Sequence, residues 1–267
     1  MADSRPTAMR VVSLVPSWTE TLIQSGVEVV GRTRFCIHPR QSVGKITVVG
    51  GTKGVDFAKI RDLKPDVVVM DREENTREMA ERMEAPIFAT HVTSLEDCAR
   101  DLHMLGSLLQ NPKLFEFAER FKKIAIMKRS TVTPATPEDW LKLPGVESWW
   151  RVPDNDIAQF VYMIWKNPWM AVCGDKTFIG SVWRNLGWGH LQMKFDCAYA
   201  KLDLDQLDPA STLLLFSSEP FAFHREKESL LRDLKYPCAL VNGESFSWFG
   251  IRALRFLESF MEIGPEI

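Results

Sequence analysis

Cys36 and His38 stand two residues apart in R-T-R-F-C-I-H-P-R. A thiolate and an imidazole at that spacing on a loop can ligate a soft metal or supply an axial ligand to a metal chelate. Two ligands leave such a site open, and Glu20, Glu73 or Glu219 are the carboxylates that could complete it. The structural alternative is a small buried thiol at Cys36 and a hydrogen-bonding loop residue at His38. Ser17, His38 and Glu219 also form a conceivable nucleophile, base and orienter, but no G-x-S-x-G elbow and no phosphate loop accompanies them.

The remaining candidates fall just past segments that read as strands. Pro16, Ser17 and Trp18 follow the first, Phe35 the second, and Glu74 and Asn75 the third. In the C-terminal half, Trp165 and Trp169, then Ser218, Glu219 and Phe221, then Glu244, Phe246 and Trp248 occupy the same kind of position. Aromatic side chains with a few fixed polar groups suit a mainly apolar ligand pocket, and a tryptophan at a strand-to-helix turn offers a flat face to a planar macrocycle. Each has a structural reading too. Ser17 and Glu20 make the S-x-x-E of a capping box, and acidic residues such as Asp71, Glu73 and Glu74 are favourable at a helix N-terminus by roughly 0.3 to 1 kcal/mol.

Strands are expected at Arg10–Val15, Glu28–Gly31, Val67–Met70, Pro86–Ala89, Phe160–Trp165, Thr212–Phe216 and Ala239–Val241. Helices are expected to start at Ser17 or Thr19, Asp56, Asn75, Thr93 or Ser94, Thr177, Phe223 and Ser247. Strands alternating with helices imply parallel sheets, whose ligands sit beyond the carboxyl ends of the strands. Between the two α/β halves runs N-P-K-L-F-E-F-A-E-R-F-K-K-I-A-I-M-K-R, read as one helix from Asn111 to Arg129. Asn111 suits the N-cap and Pro112 the first turn, and Leu114, Phe117, Ala118, Phe121 and Ala125 make the apolar stripe. From Pro112 it would be about 27 Å long, at roughly 1.5 Å per residue. The boundaries are thus 1–110, 111–129 and 130–267, with 131–156 an irregular Trp- and Pro-rich insertion, a surface loop or a lid.

Composition narrows the class. Over 267 residues, 33 basic and 35 acidic side chains give a net charge of -2, which gives no hint of nucleic acid or an anionic membrane as a partner and disfavours nucleic acid. Five scattered cysteines without a C-x-x-C indicate neither a disulfide framework nor a structural zinc site. The first ten residues lack the apolar core of a secretory signal, so a cytoplasmic protein is expected, or a periplasmic one if a leader was removed. No run approaches the ~20 apolar residues of a membrane span. A monomer is expected.

The motifs R-V-V-S-L-V-P-S-W-T-E-T-L and G-G-T-K-G-V-D-F-A-K-I-R-D-L-K-P-D-V-V-V resemble those of the class III solute-binding proteins, which carry cobalamin, haem and iron siderophores. Together with F-C-I-H-P, E-E-N, I-W-K-N-P-W-M, S-S-E-P-F and N-G-E-S-F-S-W-F-G, they look most like a leaderless branch labelled cobalamin-binding or helical-backbone metal receptor proteins. The resemblance covers the chain except 131–156. It implies two Rossmann-like lobes joined by a single backbone helix, with a metal chelate clamped between them and limited hinge motion. It implies no catalysis and no cofactor beyond the bound corrinoid or other chelate. Known members deliver ligand to an ABC permease, whose periplasmic face a leaderless chain would not meet. The competing readings are a cytosolic metal sensor or chaperone using Cys36 and His38, and a hydrolase-like enzyme on the same scaffold.

Overall fold

A computed structural model describes residues 8–127 and 129–261 of the chain. Lys128, expected near the end of the long helix, and the first seven residues lie outside the described part. Among the described residues, twelve strands form two six-stranded sheets.

The first sheet comprises β1 (Arg10–Ser13), β2 (Glu28–Thr33), β3 (Thr47–Gly51), β4 (Gly54–Val55), β5 (Val67–Asp71) and β6 (Ile87–Thr90), in the order β4-β3-β2-β1-β5-β6. All neighbours are parallel except β4, which turns back on β3. The run V-V-V-M-D of β5 is buried at every position, as a strand covered on both faces must be. Connecting helices are α1 (Pro16–Gln24), α2 (Arg40–Val43), α3 (Phe57–Asp62), α4 (Arg77–Glu81) and α5 (Leu95–Leu109). Gly50 and Gly51 of the glycine-rich motif belong to β3, which Thr47, Val48 and Val49 open beside β2.

The helix α6 (Pro112–Ile126) follows. The Asn111 side chain caps it, its Oδ1 accepting from the amides of Lys113 at 3.0 Å and Leu114 at 3.1 Å. Leu114, Phe117, Ala118 and Phe121 are buried as the stripe predicts, and Ile124 takes the next buried place. Glu116 and Arg120 pair at 3.1 Å across one turn. The helix is shorter than expected, 15 residues and so about 22 Å. Arg129 lies beyond it and donates through Nη1 and Nη2 to the carbonyls of Phe260 and Leu257, both at 3.3 Å.

The second sheet comprises β7 (Val146–Arg151), β8 (Gln159–Trp165), β9 (Met170–Val172), β10 (Tyr199–Lys201), β11 (Thr212–Ser217) and β12 (Cys238–Val241), in the order β10-β9-β8-β11-β12-β7. Only its centre, β8-β11-β12, is parallel, and β7, β9 and β10 are antiparallel. Its helices are α7 (Phe178–Asn185), α8 (Lys227–Asp233), α9 (Gly243–Ser247) and α10 (Ile251–Ser259). The expectation of an irregular insertion at 131–156 is corrected here. V-E-S-W-W-R is β7, pairing with β12, and the breakers Pro144 and Pro153 flank it without interrupting it. Trp140 is 2% exposed, and Trp150 stacks on Phe216 at 5.5 Å. The segment is thus part of the sheet and its core.

By packing, the chain divides into two units. One takes the chain up to Val92, Glu96–Lys123 and Trp248–Arg255; the other takes Thr93–Leu95, Ile124–Ser247 and the chain from Phe256. Both α6 and α10 therefore have residues in each, and Trp248, expected in the C-terminal lobe, groups with the N-terminal unit. Gly250, at φ +84° between α9 and α10, explains the turn. A Cβ there would lie 2.2 Å from Thr21 Oγ1, so only bare backbone lets the Ile251 amide donate to that hydroxyl at 3.0 Å.

Candidate ligand-binding surfaces

In the first unit the strand ends are tied together from below. Asn75, 6% exposed, donates through Nδ2 to the carbonyls of Leu14 (3.2 Å) and Thr52 (2.9 Å) and accepts through Oδ1 from the Asp71 amide (2.9 Å). It clamps the ends of β1 and β5 to the β3–β4 turn. A group so occupied and buried holds the strand ends together, and Asn75 also lines a cavity of about 520 Å³ with Met70, Asp71, Arg72, Thr76 and Arg77. Asp71, itself buried, accepts from Thr90 Oγ1 at 2.6 Å, and Trp18 Nε1 donates to the same Thr90 oxygen at 3.0 Å. Trp18 has no exposed surface and meets Phe249 edge-on at 5.0 Å. The strand-end tryptophan is core, held between Thr90 and Phe249.

The capping box at Ser17 and Glu20 does not form either. The N-cap of α1 is Val15, without a side-chain cap, and Pro16 opens the helix. Ser17 is buried, and its carbonyl accepts from Thr21 Oγ1 at 2.8 Å. Glu20, 4% exposed, takes both Arg252 nitrogens, at 2.8 and 2.9 Å. The Arg252 guanidinium also lies 5.3 Å from the Trp248 ring, which meets His38 edge-on at 5.4 Å.

Of the two candidate metal ligands, His38 is half-buried against Trp248 and Cys36 is sealed inside. Alternation along the loop turns Cys36 inward, fully buried, with Thr19 Oγ1 and Thr33 Oγ1 each 3.1 Å from its sulfur. Burial pushes the thiol above its ordinary pKa, with those hydrogen bonds opposing. Among the described residues no group of three or more His, Cys, Asp or Glu could hold a metal ion. What the loop leaves outside is Phe35, 47% exposed with the Arg34 guanidinium 4.8 Å over its ring, and Ile37, 45% exposed. The sequence reading missed Ile37, although its alternation with Cys36 was the available signal. Glu74 is half-buried beside an exposed rim in which Lys53 Nζ donates to the Glu73 carbonyl at 2.6 Å.

In the second unit the aromatics form a graded series. Trp165, 40% exposed, meets Phe221 edge-on at 5.5 Å; Phe221 lies 4.7 Å from Phe223, and Phe223 lies parallel to Trp169 at 6.4 Å. Phe223 is fully buried, so the series runs from solvent into the core. Trp169 packs partly buried against that core. Lys166 pairs with Glu226 at 2.5 Å beside it. Ser218 Oγ accepts from the Gly243 amide at 2.9 Å, and Glu219 Oε1 accepts from Ser247 Oγ at 2.5 Å, which fixes the loop after β11 against α9. Glu244 is half-buried on α9. Phe246 is corrected to a core residue: it has no exposed surface and stacks on Trp183 at 4.4 Å.

Two surfaces therefore stand at carboxyl strand ends, Phe35 with Ile37 in one unit and Trp165 with Phe221 in the other. Both are apolar groups framed by polar and charged neighbours, suited to contact with a bulky ligand. Among the described residues no helix is long and apolar enough to cross a membrane.

No protein-family model matches the chain. A vitamin B12-binding protein of Yersinia pestis (strain Pestoides F) is 30% identical over 122 residues, which cover 43% of this chain and 43% of that protein. The match thus spans less than half of the curated relatives' length. Among solved structures, the periplasmic vitamin B12 binding protein of Vibrio cholerae aligns over 97% of this chain and 99% of its own, with a TM-score of 0.64 and 16% identity. A periplasmic heme binding protein from Pseudomonas aeruginosa aligns over 96% and 94%, with a TM-score of 0.65 and 16% identity. IsdE of S. aureus, complexed with heme, aligns over 95% and 98%, with a TM-score of 0.66 and 14% identity. Over nearly its whole length, the chain has the fold of the class III solute-binding proteins, the family its strand-end motifs resemble.

Proposed function

We propose that this chain is a non-catalytic binding protein for a bulky metal chelate, a corrinoid such as cobalamin, a haem or an iron siderophore. The observation that carries the reading is the likeness of fold across both sheets to proteins described as binding vitamin B12 or haem, joined to 30% identity with a vitamin B12-binding protein over 122 residues. The exposed aromatics at the carboxyl strand ends supply contacts of the required kind. Phe35 and Ile37 in the first unit, and Trp165, Phe221 and Trp169 in the second, present apolar area, while Glu74, Ser218, Glu219 and Glu244 provide polar groups beside it. Trp18, Asn75 and Phe246 support these surfaces from within.

The buried thiol of Cys36 argues against a soft-metal sensor, and the fold likeness favours the chelate over the bare ion. Partnership with an ABC permease, monomeric behaviour and cellular location belong to the same proposal. Its test is titration of the purified chain with cobalamins, haem and ferric siderophores, followed by tryptophan fluorescence and the ligand's absorbance. Saturable quenching by one of these classes is the expected result. Quenching by none of them, in protein shown to be folded, sinks the proposal.

A further inference from the structure

A cavity of about 250 Å³ lies wholly within the second unit where the chain leaving α6 passes the end of α7. Arg129, Arg184, Lys194, His190 and Thr131 line it, with a single carboxylate, Asp175. Two glycines make this gathering possible. At Gly187, φ +85°, a Cβ would lie 2.5 Å from the Ser130 carbonyl oxygen, so the bare backbone lets the Val132 amide donate to the Gly187 carbonyl at 3.0 Å. At Gly189 a Cβ would fall 2.4 Å from the Arg184 side chain. The Arg129 and Arg184 side chains are thereby brought to one hollow.

The charges there are underpaired. Asp175 holds Lys194 at 2.8 Å and stands 3.9 Å from Arg184, so one carboxylate serves two cations. Arg184 otherwise donates to the Gly174 carbonyl. Arg129 is met by two carbonyl oxygens and, among the described residues, by no carboxylate, and its Nε is buried without a hydrogen-bond partner. Burial lowers the pKa of that guanidinium from its ordinary value. Exposed ion pairs such as Lys194–Asp175 contribute little to stability, about 0 to 1 kcal/mol, so folding alone gives no strong reason for three cations in one hollow. Guanidinium groups match the tetrahedral oxyanion of a phosphate through paired N–H donors. The volume is below the roughly 300 Å³ at which ligand clefts begin, which suits a small anion and not a metal chelate.

We propose that this cavity is a binding site for a phosphate dianion, either free or as the terminal group of a phosphomonoester, separate from the chelate-binding surfaces. Calorimetric titration of the full chain with inorganic phosphate, with glycerol phosphate, and with sodium chloride at matched ionic strength tests it. Saturable binding of phosphate, of the ester or of both, and none of chloride, is the expected result; the two phosphate arms distinguish the free ion from the ester. Lys194→Gln, at an exposed position, should weaken binding about tenfold, Arg129→Gln at least as much, and Asp175→Asn should tighten it several-fold by removing the competing carboxylate. No saturable heat with either phosphate up to about 10 mM, or equal binding by wild type and all three variants, overturns the proposal. Chelate titrations of the same variants should match wild type, so failure of one site is distinguishable from failure of the other.

Discussion

At the carboxyl ends of the first sheet Trp18 is sealed inside, and the strand ends are held by Asp71, Asn75 and Thr90. At those of the second sheet the aromatics run outward in a series from Phe223 to Trp165, and few polar groups hold them. The same position in a strand-to-helix turn therefore has opposite consequences. In the first case the helix begins at once: α1 opens at Pro16, two residues earlier, and Trp18 is buried in its first turn. In the second, Trp165 ends β8 and no helix follows directly, so the ring stays at the surface. Position after a strand marks where a side chain can reach; the next turn of chain decides whether it does.

That contrast breaks most readily at the tryptophans. Trp18→Ala should cost about 3 to 5 kcal/mol in urea unfolding, since it empties a fully buried site and leaves Thr90 without its indole donor. Trp165→Ala should stay within about 1 kcal/mol of wild type while weakening chelate affinity roughly tenfold. Equal losses of stability in the two variants would show that the distinction is false.

The next effect concerns the ion pair that fastens α10 within the first unit. Glu20→Gln should cost about 3 kcal/mol, because Arg252 loses a bidentate partner in a site where Glu20 is 4% exposed. Adding Arg252→Leu should restore part of that loss, as removing both charges relieves the unpaired one. A double variant less stable than the sum of the two single changes would mean that the pair is not a unit.

The smallest effect is chemical. In native protein, one equivalent of thiol, that of Cys197, should react promptly with a disulfide reagent near pH 8, because the other four cysteines are buried. Burial also pushes Cys36 upward and Cys238 up to about 11, so little thiolate forms at either. Prompt reaction of a second equivalent that disappears in Cys36→Ala would reopen the metal-binding reading.

Much of the architecture was legible because its signals are local. Asn111 and Asp56 cap the helices they were expected to cap, and Thr177 caps the one expected to start at it, since a side-chain oxygen three residues ahead of an amide needs no distant partner. The buried runs of β5 and β11 announced themselves by continuous apolar residues. The segment 131–156 misled because four prolines, Pro134, Pro137, Pro144 and Pro153, outweighed the strand V-E-S-W-W-R lying between two of them. The antiparallel strands β9 and β10, three residues each, were too short to show a period.

For the site, the sequence by itself determined the class of side chain at each strand end and the alternation of the loop after β2. Both follow from backbone geometry that repeats over two to four residues. Tertiary structure alone decided which faces stay outside. Arg252 reaches Glu20 from 232 residues away, Phe249 covers Trp18, and Trp183 covers Phe246, and none of these partners leaves a trace in the local pattern. The same holds for the cavity lined by Arg129, Arg184 and Lys194, whose charges are scattered over the chain and converge only because Gly187 and Gly189 let the backbone close up. Burial and charge pairing are sums over neighbours, and only the folded chain supplies the neighbours.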